Sequence, residues 1–284
     1  MSEIDDRESI KRSARKGWTN LYFCCKIKEA KARGFYMSNK NFYQSVQVLK
    51  NYETDFKQEV KPSAILGFFQ EAASENSEEA GFGYSSLAPL GMLWVLSKIY
   101  VEVDRLPKLG EKIVVQTWPH APNKTIFERS FLIRDEGGEA VIRAFSRWCV
   151  LRTNGRIVPA SQVPRDLEDY ISEKSIEFDD WAVPQAADCG EATFSLKIAN
   201  SEYDRNMHVN NIKYADYIFN CFSVEELKAK KLKSFQIHYV QQSHEGDVLR
   251  FYRKQLSENE YAVEGVKNGT ETVIAARVCF DGTV

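Results

Sequence analysis

The sequence has no long apolar run and no recognisable export signal. No apolar stretch in its 284 residues reaches the roughly 20 positions that a membrane-spanning helix needs. The N-terminus also lacks the apolar segment and the small-residue cleavage site of a secretory signal peptide. We therefore expect a cytoplasmic protein without a membrane span.

Clustered cysteines and a strong charge imbalance are missing as well. The six cysteines are scattered, without CxxC spacing or nearby histidines, which argues against a zinc site and against a disulfide framework. The formal net charge of -2 provides no overall attraction for nucleic acid. We expect reduced thiols, no metal, no organic cofactor and no nucleic-acid partner.

The first half of the chain is predicted to form one helix followed by several strands. Pro62 suits a first helical turn, apolar residues with helical spacing follow it, and Gly81 and Gly83 end the run. Predicted strands then extend from Met92 to Asp104, Lys112 to Trp118, Lys124 to Arg134 and Glu139 to Arg152. This order predicts an antiparallel meander.

The second half repeats this plan. A predicted strand from Thr193 to Ile198 precedes a helix from Asn211 to Phe222. The later predicted strands extend from Phe235 to Gln241, Val248 to Gln255, Tyr261 to Val266 and Thr272 to Phe280. The common order of elements favours a tandem duplication of one unit.

Short sequence matches support the duplication. The run from Gly137 to Ala144 aligns with the run from Gly269 to Ala276, and the turn at Gly110 has a counterpart at Gly246. We interpret each unit as α+β, with a long helix against an antiparallel sheet. Two such units can pair their sheets and leave a tunnel between helix and sheet for a long apolar ligand.

We divide the chain into four segments. Residues 1–48 form an N-terminal extension, which is either disordered or includes a non-native start before Met37. Its basic residues up to Tyr36 are alternatively an arm for an acidic partner or a mitochondrial-type presequence, although Asp5, Asp6 and Glu8 fit a presequence poorly. Residues 49–160 form the first unit and residues 191–284 the second. Residues 161–190 form a linker, marked by Pro164, Pro184 and several acidic residues.

Polar side chains crowd the entrance of the second predicted helix. Thioester hydrolysis requires a group that positions and deprotonates water, and donors for the oxyanion that develops on the carbonyl. Asp204, Asn206 and His208 can meet the first need, and the N-terminus of the helix can meet the second. Helix capping is the alternative role for such residues.

The order of residues in this run is more informative than the chemistry of its side chains. Asp204-x-Asn206-x-His208-Val209-Asn210-Asn211, followed by Lys213 and Tyr214, resembles the motif of the acyl-acyl carrier protein thioesterases, a double hot-dog family of plants and bacteria. Further matches in the first half are Trp94, Val95, Leu96, Arg105, Leu106, Pro107, Gly110, Glu111, Thr117, Trp118, Pro119, Trp148, Val150 and Leu151. The resemblance covers the chain from about Asn51 onward.

The resemblance implies a tandem double hot-dog fold and a division of labour between its units. The first unit would bind the acyl chain, and the second would supply Asp204, Asn206 and His208 for catalysis. The family's fourth catalytic position, a glutamate, falls on Gln242, and the cysteine of plant members falls on Ser243. Because glutamine accepts no proton at neutral pH, the identity of the base is open.

A nearby side chain can replace the missing carboxylate. If the chain around Gln242 is a regular strand, His244 points to the same side and its imidazole can serve as the base. A bulge near Gly246 would instead turn Glu245 inward. A third possibility is that His244 is an exposed strand-end residue without a catalytic role.

The expected partner is acyl carrier protein that carries a fatty acyl chain, and a homodimer is a further expectation. Acyl carrier protein is acidic, so basic residues of the first unit are candidates for its docking surface. They are Arg105, Lys108, Lys112, Arg129, Arg134, Arg143 and Arg147. Two rival functions are hydrolysis of acyl-CoA and non-catalytic acyl binding. His120 and His238 are interpreted as structural or surface residues.

Overall fold

The structure, a computed structural model, describes residues 36–187 and 190–281. It contains four α-helices in this part: α1 (Pro62–Glu79), α2 (Tyr84–Leu87), α3 (Asn211–Phe219) and α4 (Val224–Lys228). The first strands are β1 (Tyr36–Asn39), β2 (Phe42–Val48), β3 (Met92–Val103), β4 (Lys112–Pro119), β5 (Phe127–Arg134), β6 (Ala140–Arg152) and β7 (Ile157–Val158). The later strands are β8 (Phe194–Lys197), β9 (Lys231–Tyr239), β10 (Val248–Ser257), β11 (Glu260–Lys267) and β12 (Glu271–Asp281).

The described strands form one antiparallel sheet. Its order is β1-β2-β4-β5-β6-β3-β9-β12-β11-β10-β8, and β7 pairs with β6. Strands β3 and β9 join the first half to the second, with Lys98 opposite His238 and Val101 opposite Phe235. The predicted pairing of two sheets is confirmed, and the α+β double hot-dog fold is that of known structures described below.

Helix α1 is held by an apolar face. Pro62 occupies the first helical position, where the missing N–H has no partner to lose. Ile65, Leu66, Phe69 and Ala72 are buried at helical spacing. The Phe69 ring stacks on Phe131 of β5, with 4.6 Å between ring centroids. Each large apolar side chain buried here stabilises the fold by about 1.5–3 kcal/mol.

Helix α3 is half as long as α1, with 9 residues against 18. The prediction of a helix to Phe222 is therefore too long by three residues. Asn210 caps it, because its side chain accepts the Ile212 N–H at 3.0 Å. Tyr214, Tyr217 and Ile218 are buried against the sheet.

The sheet begins earlier than the sequence predicted. Strand β2 lies within the proposed extension 1–48, and it pairs with β4 from Tyr43 opposite Thr117 to Val48 opposite Lys112. The boundary at residue 49 is therefore wrong for β2. Residues 1–35 lie outside the described part of the chain. Between the short 3-10 helix Ala160–Gln162 and β8, the described residues of the proposed linker form no helix or strand.

One loop occurs twice with the same backbone hydrogen bonds. In the first half, the Asp55 N–H donates to the Glu59 carbonyl at 2.8 Å, next to a bridge between Thr54 and Val60. In the second half, the Asp204 N–H donates to the His208 carbonyl at 2.9 Å, next to a bridge between Tyr203 and Val209. Each loop is followed directly by the main helix of its half, α1 in the first half and α3 in the second. These equivalent loops support the duplication.

Candidate active site

The predicted motif forms a tight loop between a 3-10 turn (Asn200–Glu202) and helix α3. The Met207 N–H donates to the Asp204 carbonyl at 3.1 Å, and Met207 has a positive φ of 61°. The Asp204 carboxylate accepts the backbone N–H of Asn206 at 2.8 Å. Main-chain hydrogen bonds and the Asp204 carboxylate therefore hold the loop. The side chains of Asn206 and His208 make no hydrogen bond to other residues of the loop.

The capping role belongs to a different residue. Asn210 accepts the Ile212 N–H with its side chain at 3.0 Å and the Lys213 N–H with its carbonyl at 2.9 Å. These two N–H groups of α3 are therefore already occupied, which weakens the expectation that the helix N-terminus receives an oxyanion. The side-chain amide of Asn206 is the alternative donor, because it makes no hydrogen bond to the described residues.

His208 lies close to a second histidine. The ring of His208 is half-buried, and its centroid is 5.5 Å from that of His244. Burial lowers the pKa of His208 below its usual value, the His244 imidazole lowers it further, and the Asp204 carboxylate opposes both. The neutral imidazole, which can accept a proton, is therefore the main form at neutral pH.

The segment that carries Gln242 is a loop and not a strand. Strand β9 ends at Tyr239, so the alternation argument rested on a wrong premise. Gln242 and His244 are nevertheless both exposed, whereas Ser243 between them is 1% exposed. The Tyr214 hydroxyl donates to the Ser243 hydroxyl at 2.9 Å. This bond fastens the loop to α3.

The turn that follows sets the position of His244. The His244 N–H donates to the Asp247 carboxylate at 2.8 Å, and the Asp247 N–H donates to the His244 carbonyl at 3.0 Å. Glu245, the alternative base, is exposed, and its N–H donates to the Tyr203 hydroxyl. The Gln242 carbonyl accepts a long bond of 3.4 Å from Lys267. Of the residues in this loop, His244 is the one whose ring lies beside His208.

A cavity of about 480 Å³ opens beside the motif. Its lining includes Ala73 and Ser77 of α1, Trp94 and Trp148 of the sheet, and Asp204 and Asn206 of the loop. His208 and His244 are not among the lining residues. The cavity belongs to the first half of the chain, and the motif loop of the second half forms part of its wall. A ligand in the cavity therefore meets side chains from both halves.

Several contacts at this site were not predicted from the sequence. Arg205 stacks on Tyr84, with 4.2 Å from the guanidinium carbon to the ring centroid, and both line the cavity. Tyr214 and Ser243 join two segments 29 residues apart. The position of Tyr214 directly after the motif was a weak signal for its role. The contact with Ser243 depends on the folded chain and has no local signature.

The two other histidines have different surroundings. His120 is buried, with Nδ1 3.0 Å from the Ile171 carbonyl and Nε2 2.8 Å from the Ser130 hydroxyl, so its ring has a structural role. His120 also lines the cavity, which the sequence did not reveal. His238 lies in β9, and its Nε2 is buried without a partner among the described residues. Burial and then the charge of Lys98 lower the pKa of His238 to about 4.

The basic residues proposed for docking are mostly unavailable. Arg129 is 5% exposed and cannot reach a partner protein, so that assignment is wrong. Ion pairs with carboxylates neutralise four others, Arg105, Lys112, Arg143 and Arg147. Arg134 donates to Gln116 and to the Gly138 carbonyl. Lys108 is exposed.

Other chemistry was sought in the described part of the chain. No group of three or more His, Cys, Asp or Glu residues there is arranged to hold a metal ion. Cys149, Cys221 and Cys279 are free thiols. None of the helices described has the length and apolar character that crossing a bilayer requires.

Comparison with known structures shows the fold. An acyl-ACP thioesterase from Bacteroides thetaiotaomicron superimposes with a TM-score of 0.75 and 27% identity, covering 84% of this chain and 98% of that one. A 12:0-ACP thioesterase from Umbellularia californica superimposes with a TM-score of 0.74 and 21% identity, covering 84% and 97%. The second likeness supports the fold alone.

Comparison of sequences shows the family. The chain is 26% identical over 251 residues to the chloroplastic acyl-[acyl-carrier-protein] hydrolase FATB3 of Cuphea viscosissima. That match covers 84% of this chain but only 60% of the relative's length. Residues 39–171 match the Acyl-ACP thioesterase N-terminal domain, and residues 189–278 match the Acyl-ACP thioesterase C-terminal domain. Since these two matches together span most of the chain, the protein belongs to the acyl-ACP thioesterase family.

Proposed function

We propose that the protein hydrolyses the thioester of fatty acyl-acyl carrier protein and releases the free fatty acid, which ends chain elongation. The observation that carries this proposal is the loop Asp204–His208 at the wall of the cavity, with His244 beside His208. Family membership supplies the carrier, because the relatives named above are acyl-ACP thioesterases or hydrolases.

His208 is the proposed general base. Its ring nitrogens make no hydrogen bond to the described residues, so they can bind water, and its pKa is lowered by burial and by His244. The proton taken from water forms an imidazolium, whose charge is stabilised by the nearby Asp204 carboxylate. The lowered pKa of His208 keeps the ring neutral before it accepts a proton, and the Asp204 carboxylate stabilises the imidazolium that forms.

The proposed reaction proceeds through a tetrahedral intermediate. As His208 accepts the proton, the water oxygen bonds to the thioester carbon, and the carbonyl oxygen becomes an oxyanion. The carbon–sulfur bond then breaks, and the proton on His208 passes to the departing thiolate. The products are the fatty acid and the carrier thiol. Within this scheme the side-chain amide of Asn206 donates to the oxyanion.

Gln242 and His244 have proposed supporting roles. Gln242 is exposed, and its amide can hold water by hydrogen bonds without accepting a proton. The His244 and His208 rings lie 5.5 Å apart between centroids and are tilted by 55°, within the range of direct ring contact and close enough for a proton to pass between them directly or through one water. We assign His244 to keeping His208 neutral and to relaying protons.

The cavity is the proposed acyl site. It is lined by Trp94, Phe127 and Trp148 in addition to residues of α1, and it meets the motif at Asp204 and Asn206. Apolar walls suit an alkyl chain, and the polar loop suits the thioester. Acyl-chain binding by the first half and catalysis by the second remain part of this proposal, as do a homodimer and a cytoplasmic location. The named Cuphea relative is chloroplastic.

A thiol-release assay tests the proposal. Purified protein is supplied with dodecanoyl-ACP and, separately, with dodecanoyl-CoA, and the free thiol is measured over time. We expect hydrolysis of both and a kcat/KM at least about tenfold higher for the carrier protein, since protein docking adds binding energy that CoA lacks. A higher value for CoA would assign the enzyme to acyl-CoA. Binding of either without thiol release would indicate an acyl-binding protein.

A further inference from the structure

Arg129 is a fully buried cation on the wall of the cavity. It lies in β5, it is 5% exposed, and it is one of the lining residues. Its guanidinium donates to the side-chain amide oxygen of Asn76 at 2.8 Å, to the Thr117 hydroxyl at 3.3 Å and to the Ser77 hydroxyl at 3.2 Å. All three partners are neutral.

The hydrogen-bonding capacity of Arg129 exceeds these contacts. A guanidinium has five N–H donors, and the bonds to Asn76, Thr117 and Ser77 use three. No carboxylate oxygen of the described residues lies within 4.0 Å of Arg129. The neighbouring Glu128 pairs with Arg147 at 2.9 Å instead. Two donors and one positive charge are thus left without a partner among the described residues.

Burying a charge without a counter-charge is costly, so the arrangement requires an explanation. Burial alone lowers the pKa of Arg129 to about 9, which still leaves it positive at neutral pH. A purely structural role would be served by a neutral donor, because Asn76, Ser77 and Thr117 need no positive charge. By contrast, Arg105 and Arg253 each have carboxylate partners. Arg129 differs from them in facing the cavity.

We propose that the cavity takes acyl chains that carry a second carboxylate, and that Arg129 binds this carboxylate while the thioester lies at the Asp204–His208 loop. The fork of a guanidinium matches the two oxygens of a carboxylate, and a buried pair of this kind is strong. The ligand class is therefore the half-thioester of a dicarboxylic acid. This inference rests on the proposed function, since it uses the same cavity and the same reaction.

Other charged groups in the cavity set the limits of this assignment. Glu71, Glu75 and Glu78 of α1 also line it and would repel a carboxylate near them. Glu78 is held by hydrogen bonds from Ser85, and Arg205 lies close enough to stabilise its charge. Arg165 and Arg205 also line the cavity but are exposed, so Arg129 is its buried cation and the proposed partner of the ligand carboxylate.

The test compares matched substrates of equal chain length. The ratio of kcat/KM for ω-carboxyundecanoyl-ACP to that for dodecanoyl-ACP is measured in the parent and in Arg129→Gln, Arg129→Lys and Arg134→Gln. We expect the ratio to fall at least about tenfold in Arg129→Gln, the loss of one charge-assisted bond. Arg129→Lys keeps part of it. Arg134→Gln, which removes a half-buried arginine outside the cavity lining, leaves it unchanged. An unchanged ratio in Arg129→Gln overturns the inference.

A second measurement needs no variant, in case Arg129→Gln fails to fold. Dodecanedioic and dodecanoic acids are compared as competitive inhibitors of the parent enzyme, and we expect the diacid to bind at least about tenfold more tightly. Equal affinities overturn the inference, and so does tighter binding of dodecanoic acid, since either result shows that the second carboxylate finds no favourable partner in the cavity. Absence of dodecanoyl-ACP hydrolysis would contradict the proposed function instead. The affinities of the two acids, measured by calorimetry, would then still test the role of Arg129.

Discussion

The two halves of the chain contain the same loop with different side chains. Asp55 accepts the Lys57 N–H at 2.8 Å, as Asp204 accepts the Asn206 N–H at 2.8 Å. Where the second loop has His208, the first has Glu59, which pairs with Lys57 at 3.1 Å. The backbone has therefore been kept in both halves, whereas the side chains that could perform chemistry occur in the second.

The interiors of the two halves also differ, and here it is the first half that has the distinctive feature, an open cavity. The first half has the longer helix and the cavity of about 480 Å³. In the second half, Tyr217 of the short helix packs between Phe194 and Phe251, with ring centroids 6.4 and 5.7 Å away. Aromatic rings thus fill the space that is open in the first half. Under the proposed function, binding and chemistry therefore lie in different halves.

The largest expected effect comes from the loops themselves. His208→Ala should lower kcat by about 100-fold or more, because it removes the proposed base. Glu59→Ala, at the equivalent position of the first loop, should leave kcat within a few-fold. Steady-state kinetics on dodecanoyl-ACP measure both, and the melting temperature shows whether each variant is folded.

Either of two outcomes would break this part of the comparison. A nearly normal kcat for His208→Ala would remove His208 from the mechanism. An equal loss in Glu59→Ala would show that the first loop also takes part in catalysis.

The second prediction places an aromatic ring in the cavity of the first half, like the rings that occupy the interior of the second half. Ala73 lines the cavity, and the residue at the same distance from the second loop is Phe222, which is buried. Ala73→Phe should lower kcat/KM for dodecanoyl-ACP by about 30-fold, because the chain loses space, whereas a hexanoyl substrate serves as an internal control and changes little. An equal loss for both chain lengths would show that the variant damages the catalytic loop or the fold.

The third prediction concerns His244. His244→Ala should lower kcat by about tenfold, and Gln242→Glu in the same protein should recover much of that loss by returning a carboxylate to the loop. The imidazole of His244 lowers the pKa of His208. Its removal raises that pKa, so the acid limb of the kcat/KM profile should move to higher pH.

The first half again offers the control for this experiment. Lys108 begins the turn that corresponds to His244, with its N–H donating to Glu111 at 3.0 Å as that of His244 donates to Asp247. Lys108→Ala should leave both kcat and the pH profile unchanged. Full activity of His244→Ala, with a faster Gln242→Glu single variant, would mean that His244 is a bystander.

The smallest expected effect lies where the halves meet. His238 is opposite Lys98 across the β3–β9 pairing, and its pKa in the folded protein is about 4. Its neutral form is favoured by folding, so stability is lost as pH falls from about 6.5 toward that value. His238→Gln should reduce the drop in melting temperature between pH 7 and pH 4.5 by roughly 2 °C. His244→Ala, which changes an exposed imidazole, is the control, and an unchanged drop in His238→Gln would contradict the effect.

Most of the fold could be predicted because its signals are local. The start of α1 follows from Pro62 and the apolar spacing behind it, and the strands from Met92 onward were predicted to within a few residues. Strand β2 was missed because its buried residues include polar ones. Gln44 is 4% exposed and accepts a hydrogen bond from Gln116 at 2.6 Å, a pairing that apolar periodicity does not show.

The candidate site was predictable only where it is a short motif. Asp204, Asn206 and His208 lie in one loop, so their spacing in the sequence gives their proximity. The bond between Tyr214 and Ser243 and the burial of Arg129 depend on contacts between distant segments. From the sequence, Arg129 was indistinguishable from the paired surface arginines around it.

The construction of the repeated loop bears on how such an enzyme changes over time. Its shape depends on main-chain hydrogen bonds and on one aspartate, Asp55 or Asp204, so the side chains at Lys57 and Glu59, or at Asn206 and His208, are less tied to the backbone. Selection can therefore remove or install chemistry at Lys57 and Glu59, or at Asn206 and His208, without rebuilding the scaffold. In evolutionary terms the first loop is a copy that has kept the shape of the second while carrying different side chains.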